Sequence, residues 1–341
     1  MSQLSPQQPV STTSPSESQA NLVQRHFPQL YAFWKFSRPH TIIGTSLSVV
    51  GLYLIAVANR ADGSLPFSAS LLSLLATLFT CLCGNVYIVG LNQLEDVAID
   101  RVNKPHLPVA SGEFSRQQGW AIVLITGTLA LLLSVLQGKF LVATVWTSVL
   151  IGTCYSLPPV RLKRFPIWAA LCIFSVRGAI VNLGLFLHFN QLLHFNQQFS
   201  GTTAIPPAIP TIPATVWALT LFILGFTFAI AIFKDIPDLE GDRRYHITTF
   251  TIRLGATAVF SLARSVLTIC YLGMIVAGFS LAGVNPVFLV ASHLVLLLLL
   301  WWRSKKVNLQ DKAEVARFYQ FIWKLFFLEY LLFPAACLLG A

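Results

Sequence analysis

The chain has 341 residues, of which 55% are hydrophobic and only 11% charged, whereas a soluble domain carries about a quarter charged residues. That balance excludes an ordinary soluble globule and leaves a polytopic membrane protein. The formal net charge of +10 does not point to nucleic acid, because the basic residues are sorted between alternate loops as in a membrane protein.

Residues 1–28 are rich in Ser, Gln and Pro, with no Lys or Arg before Arg25. Such a segment cannot bury enough apolar surface to offset the entropy of ordering. Residues 1–30 are therefore expected to be a disordered tail, ahead of one transmembrane domain over 31–341. The tail has neither the basic n-region and apolar core of a secretory signal nor the arginine content and length of a plastid transit peptide. A bacterial-type membrane is the expectation. The segment YAFWKFSRPH at 31–40 mixes aromatics with Lys35 and Arg38 and is predicted to lie as a helix along the interface.

Apolar runs of about 20 residues predict nine spans, at 41–58, 70–92, 118–136, 140–157, 166–187, 214–234, 257–279, 284–302 and 319–339. The fold class is all-α: one bundle of nine transmembrane helices. With the N-terminus cytoplasmic, eighteen of the 23 Lys and Arg fall in inside segments and two, Arg60 and Lys139, in outside loops. Arg177, Arg264 and Lys324 lie within or at the edges of spans. This asymmetry supports both the span count and the orientation. The six cysteines sit in apolar runs without CxxC spacing and are read as packing residues.

Span two runs into NQLEDVAID (92–100) and span six into KDIPDLEGD (234–242); these windows hold seven of the thirteen acidic residues in the chain. A helix continued through the first window spaces Asn92, Asp96 and Asp100 at i, i+4 and i+8, on one face. Acids at a helix C-terminus oppose the macrodipole and need a compensating cation. Arg101 and Lys104 follow, and Pro105 ends the helix. In the second window Asp235, Asp238 and Asp242 again share a face, although Pro237 and Gly241 predict a local break. Both windows read D-x-x-x-D-R, four spans apart, which points to two pseudo-equivalent halves. Charge placement puts both on the cytoplasmic side.

Three other stretches stand out. YSLPPVRLKR (155–164) breaks at Pro158 and Pro159 and brings Arg161, Lys163 and Arg164 to the same side; these are interface anchors, or face an anion held by metal. Arg177 lies well inside span five, five residues before Asn182, where a charge is expensive unless it faces a polar cavity. LHFNQ occurs at 187–191 and again at 193–197, and is read as a duplicated outside loop, not a set of histidine ligands. In the last span Lys324 is expected to snorkel and Glu329 to find a helix partner.

Six carboxylate or amide side chains facing one another suit two Mg2+ ions that complete their shells with phosphate oxygens. Metals with nearby Lys and Arg stabilise a pyrophosphate leaving group. An allylic cation left behind needs a dry cavity walled by aromatic faces. A bundle with 26 Phe and a lipid-accessible cavity can supply it.

NQLEDVAIDRVNKPHLP, YSLPPVRLKRFP and KDIPDLEGDRRYHITTFTIRLG resemble the signature segments of the UbiA-type intramembrane aromatic prenyltransferases. FWKFSRPHTIIGTSLSV, GNVYIVGLNQ, VRGAIVNLGLF and FYQFIWKLFFLEYLLFP resemble, more narrowly, the homogentisate phytyltransferases of cyanobacteria. The resemblance runs from about Tyr31 to Pro334. It implies Mg2+-dependent condensation of phytyl diphosphate with homogentisate, with decarboxylation, on the route to tocopherols, in a cyanobacterial plasma or thylakoid membrane. It implies that Asn92, Asp96, Asp100, Asp235, Asp238 and Asp242 hold metal and diphosphate, and that Lys104, Arg161 and Lys163 touch diphosphate, with Arg101 and Lys234 as further basic candidates. Tyr155 and Ser156 match a family motif near the cation. Arg177 is the candidate partner of the homogentisate carboxylate. The partners expected are the two substrates and the lipid bilayer, with no nucleic acid and no partner protein. Geranylgeranyl or solanesyl transfer to homogentisate, transfer to 4-hydroxybenzoate or chlorophyllide, and a transporter remain as alternatives.

Overall fold

The structure, a computed structural model, describes residues 26–60, 67–199, 211–245 and 248–341. The tail expectation up to residue 25, and Pro206, Pro207 and Pro210 before span six, fall outside them. Among the described residues the secondary structure is entirely helical. Nine of the described helices are long and apolar enough to cross a membrane: Pro39–Ala58, Leu71–Glu95, Arg116–Gln137, Lys139–Ser156, Pro166–His194, Ala214–Phe233, Ala256–Ala277, Pro286–Ser304 and Lys312–Leu338. Each overlaps one predicted span.

A short helix, Pro28–Phe36, precedes the first span and turns its chain sharply at Arg38, whose φ is +52°. Pro39 then opens the first span at a position where its missing N–H is harmless. This entry helix exposes Leu30, Phe33 and Trp34 and buries Ala32 and Phe36. It meets Leu91, Leu94, Val109, Phe114 and Val123 in a small second core beneath the first acidic window. The interface-helix reading of this stretch thus coincides with an amphipathic element.

The sixth span is the hub. Its most apolar window is 67% buried, against 28% for the third and eighth spans. Buried residues recur all round it, so a single amphipathic stripe does not describe it. Phe222, Phe226 and Phe233 on this span meet Tyr271, Phe326, Phe260 and Phe318 at ring-centroid separations of 5.4–6.2 Å where they contact, within the range of favourable edge and tilted aromatic pairs.

The duplicated LHFNQ segment is not an outside loop. The fifth span continues as helix through Phe199, because Leu185, Phe189 and Leu193 repeat every fourth residue and are all buried. His188 stays inside with them and lies 3.0 Å from the Thr77 hydroxyl. Ahead of this stretch the same span carries a π-helical turn at Ser175–Ile180, around Arg177.

The unnamed partner of Glu329 is His293 of the eighth span. The two are 3.1 Å apart and both wholly buried. The imidazole Nδ1 is 2.8 Å from the Leu289 carbonyl one turn back. Asn182 is likewise engaged, accepting a 2.7 Å bond from the Tyr330 hydroxyl. Polar side chains thus tie the last span to the fifth and the eighth. Glu329→Leu leaves the buried His293 Nε2 without a partner among the described residues, and we expect a loss of about 1–3 kcal/mol, read as a lower Tm in detergent. Adding His293→Leu should recover most of it; a double variant no more stable than Glu329→Leu alone contradicts this role.

Candidate active site

Both acidic windows open into one cavity of 1160 Å³ at the same end of the bundle. The second span ends at Glu95, and Asp96 departs from helical geometry at φ −110° and ψ 15°. The backbone ladder nevertheless continues, from Asp96 N to Asn92 O at 3.1 Å, Asp100 N to Asp96 O at 2.8 Å and Lys104 N to Asp100 O at 2.7 Å. The predicted i, i+4, i+8 face therefore survives the irregularity, and Asn92, Asp96 and Asp100 all line the cavity. The helix Val97–Asn103 stops at Lys104, just before Pro105, which disfavours helical geometry in the residue it follows.

The second window breaks where Pro237 predicts. The sixth span ends at Phe233, a turn follows, and Leu239–Arg244 forms a short helix. Asp235, Asp238 and Asp242 line the same cavity. The windows touch directly: Lys104 bonds to the Asp238 carboxylate, Gly241 N donates to Asn103 Oδ1 at 3.0 Å, and the Tyr245 hydroxyl donates to the Ala98 carbonyl at 3.0 Å. A Cβ at Gly241 would stand 2.2 Å from Asn103 Oδ1, so a larger residue there would have to displace the Asn103 side chain.

Basic side chains are interleaved with the acids. Arg161 Nη2 is 3.1 Å and Lys163 Nζ 2.7 Å from the two oxygens of Asp96. Arg161 also bonds the Glu95 carbonyl at 3.2 Å. Asn92 gives its Nδ2 to Asp96 at 3.1 Å and accepts from Arg38 at 3.3 Å. Lys234 lies 3.7 Å from Asp235 and 3.5 Å from the Tyr155 hydroxyl. Burial lowers the Lys163 ammonium from its ordinary range, against the pull of Asp96.

Negative charge is incompletely met. Asp100 is buried with Oδ2 free of any hydrogen bond among the described residues. Burial raises its carboxyl above the ordinary range, Arg38 and Lys104 oppose this, and Asp96 and Asp238 add to it. Burial, then Asp238 and Asp235, push Asp242 up to about 7. Burial also raises Asp235. The donors are oxygens throughout, the set a hard divalent cation such as Mg2+ prefers. Among the described residues no three acidic, His or Cys groups gather as a ready-made metal cluster, and Lys104, Arg161 and Lys163 take up Asp238 and Asp96.

Of the remaining predicted residues, Tyr155, Lys104, Arg161, Lys163, Lys234 and Arg177 line the cavity. Two do not. Arg101 is exposed; as the neighbour of Asp100 it is turned about 100° away on the helix and points to water. Ser156 is wholly buried, its hydroxyl without a partner among the described residues. Arg177 sits deeper than the acids, its guanidinium carbon 5.2 Å from the Trp323 ring centre and 5.7 Å from that of Phe326, with no acid in salt-bridge reach among the described residues. Sequence reasoning missed Arg38, His40, Asn103 and Trp323 as cavity-lining residues. Only Arg38, next to Pro39, carried a signal, and it was read as interfacial.

The chain belongs to the UbiA prenyltransferase family, whose model matches residues 47–325. It is therefore a membrane-embedded prenyltransferase. A homogentisate phytyltransferase of Synechocystis sp. is 53% identical over 308 residues, spanning 90% of this chain and 96% of that one. A homogentisate geranylgeranyltransferase of Triticum aestivum is 38% identical, spanning 90% of this chain and 72% of its own. A chloroplastic homogentisate solanesyltransferase of Arabidopsis thaliana is 35% identical, spanning 89% and 76%. A UbiA homolog from Archaeoglobus fulgidus bound to GPP and Mg2+ shares the fold with a TM-score of 0.59 at 15% identity, over 89% of this chain and 99% of that one.

Because the Asp242 proton leaves only near pH 7, a cation that needs this carboxylate competes with that proton below pH 7 and not above it. Mn2+ affinity should rise from pH 6 to pH 8, by up to about tenfold per unit below the midpoint. Asp242→Asn should flatten the profile. Equal slopes for the two proteins, measured by calorimetric titration, contradict this.

Proposed function

We propose that the protein transfers the phytyl group of phytyl diphosphate to homogentisate, with loss of CO2, giving 2-methyl-6-phytyl-benzoquinol for tocopherol biosynthesis. The observation that carries the reading is the meeting of two acid windows, one basic set and a deep aromatic wall in one cavity of a chain 53% identical to a homogentisate phytyltransferase. The family assignment removes the transporter alternative. Geranylgeranyl and solanesyl transfer are represented by relatives of lower identity, at 38% and 35%.

Asn92, Asp96, Asp100, Asp235, Asp238 and Asp242 are the residues that would hold Mg2+, most simply two ions, one per window. The fit rests on their oxygen donors, on the orphaned Asp100 oxygen and on the raised carboxyl of Asp242. The archaeal fold relative bound to GPP and Mg2+ supports the same use. When bound, a divalent cation neutralises diphosphate oxygens and so eases departure of the leaving group. Lys104, Arg161 and Lys163 reach the windows by ion pairs and are placed to exchange their carboxylates for diphosphate oxygens. Lys234 and Tyr155 flank that position. The cation left on the prenyl carbon meets the faces of Tyr155, Tyr319 and Trp323, which line the cavity.

Arg177 binds the homogentisate carboxylate. Its cavity position, its aromatic stacking and its lack of an acid partner among the described residues support this. The windows face the cytoplasm, a placement that the sorting of basic loops supports, and the Synechocystis relative supports a cyanobacterial plasma or thylakoid membrane.

In membranes supplied with homogentisate and phytyl diphosphate, Asp96→Ala and Asp238→Ala should each lower kcat by about 100-fold or more. Arg177→Met should abolish turnover of homogentisate in a protein that still melts cooperatively. Near-normal homogentisate kinetics in Arg177→Met would refute the carboxylate assignment.

A further inference from the structure

The overall reaction has an internal proton balance. Replacing a ring hydrogen by the prenyl carbon releases one proton, and converting the CH2–COO− arm to CH3 consumes one. No proton need come from outside, provided that a base in the cavity can take the first and return it. This inference rests on the homogentisate reading above.

Of the two imidazoles in the cavity, His40 and His106, His40 is the one that shares a neighbour with Arg177. His40 lines the cavity, one residue after Pro39 at the start of the first span. Its imidazole makes no hydrogen bond among the described residues, and its ring centre lies 4.8 Å from that of Trp323. Gly44 follows at i+4, hence on the same helix face about 5–6 Å away. A Cβ on Gly44 would stand 3.1 Å from Arg177 Nη1. The Arg177 guanidinium thus lies against the first span one turn beyond His40, and the two groups share Trp323 as a floor. Trp323 Nε1 is buried and makes no hydrogen bond of acceptable geometry, although Tyr319 is beside it. An aromatic acid held by Arg177 over this floor has a ring, a carboxylate arm and an unused N–H donor within one small volume, beside an imidazole.

We propose that His40 is the base that carries the proton from the prenylated ring carbon to the benzylic carbon. The C–C bond to the prenyl carbon forms from a ring π pair, and the C–O bond to diphosphate breaks, diphosphate leaving with the bonding pair. His40 takes the proton from the substituted ring carbon, whose C–H pair returns to the ring. The C–COO− bond breaks, CO2 departs, and the pair remains on the benzylic carbon in conjugation with the ring. That carbon takes the proton back from His40 and becomes the methyl group.

The test uses the full-length protein in membranes, with phytyl diphosphate and ring-deuterated homogentisate in ordinary water. Wild-type product should carry deuterium in its methyl group. His40→Gln should lower kcat by about 100-fold, leave the homogentisate KM within a few-fold and lose the methyl deuterium. A His40→Gln protein turning over within a few-fold of wild type overturns the proposal. So does a wild-type methyl group whose new hydrogen comes wholly from solvent, a result that needs no variant to fold. If wild-type protein instead makes no methyl-bearing prenyl quinol, the acceptor reading fails, and the His40 proposal fails with it; the first two outcomes leave that reading intact.

Discussion

A carboxylate beside hydrocarbon is tolerated only where charge or donors meet it, and this bundle gathers six acidic or amide side chains of two windows at one cavity mouth. Lys104, rooted in the first window, reaches Asp238 of the second, while Arg161 and Lys163 from a third loop converge on Asp96. Even so, Asp100 and Asp242 keep raised carboxyl groups. A divalent cation could displace their protons, and cation, carboxylate and phosphate would then neutralise one another at the edge of the lipid. The remainder of the fold holds these groups in register.

The register comes from where helices stop. The second span leaves helical geometry at Asp96 and the sixth ends at Phe233, so each window is carried on a helix end backed by packed apolar turns. The sixth span, enclosed by its neighbours, fixes one window against the aromatic wall of the ninth. Deeper in, the π-helical turn at Ser175–Ile180 is the irregularity that recurs at functional sites, and it presents Arg177 to the cavity. Acids, aromatic rings and Arg177 are thus layered from the mouth inward.

Much of this was legible in the chain. The nine spans follow from run length and from the sorting of Lys and Arg, and both windows follow from acids placed directly after apolar runs. Spacing also gave the shared face of Asn92, Asp96 and Asp100, because the i→i−4 ladder persists across Asp96. What spacing could not give was direction. Arg101 adjoins Asp100 in sequence but lies a third of a turn round the helix, in water, and Ser156 adjoins Tyr155 but is buried away from the cavity. The LHFNQ duplication read as loop because polar residues broke the apolar run, yet its Leu and Phe still follow the helix period. His40 and Trp323 are far apart in sequence and gain meaning only by contact, as do His293 and Glu329.

The central claim is that one diphosphate is held between the two windows, and structure determination with Mg2+ and an unreactive prenyl thiodiphosphate tests it most directly. The account predicts diphosphate density flanked by Asp96 and Asp100 on one side and by Asp238 and Asp242 on the other, with the prenyl chain running inward past Trp323. Density engaging one window alone, or lying outside this cavity, would contradict it.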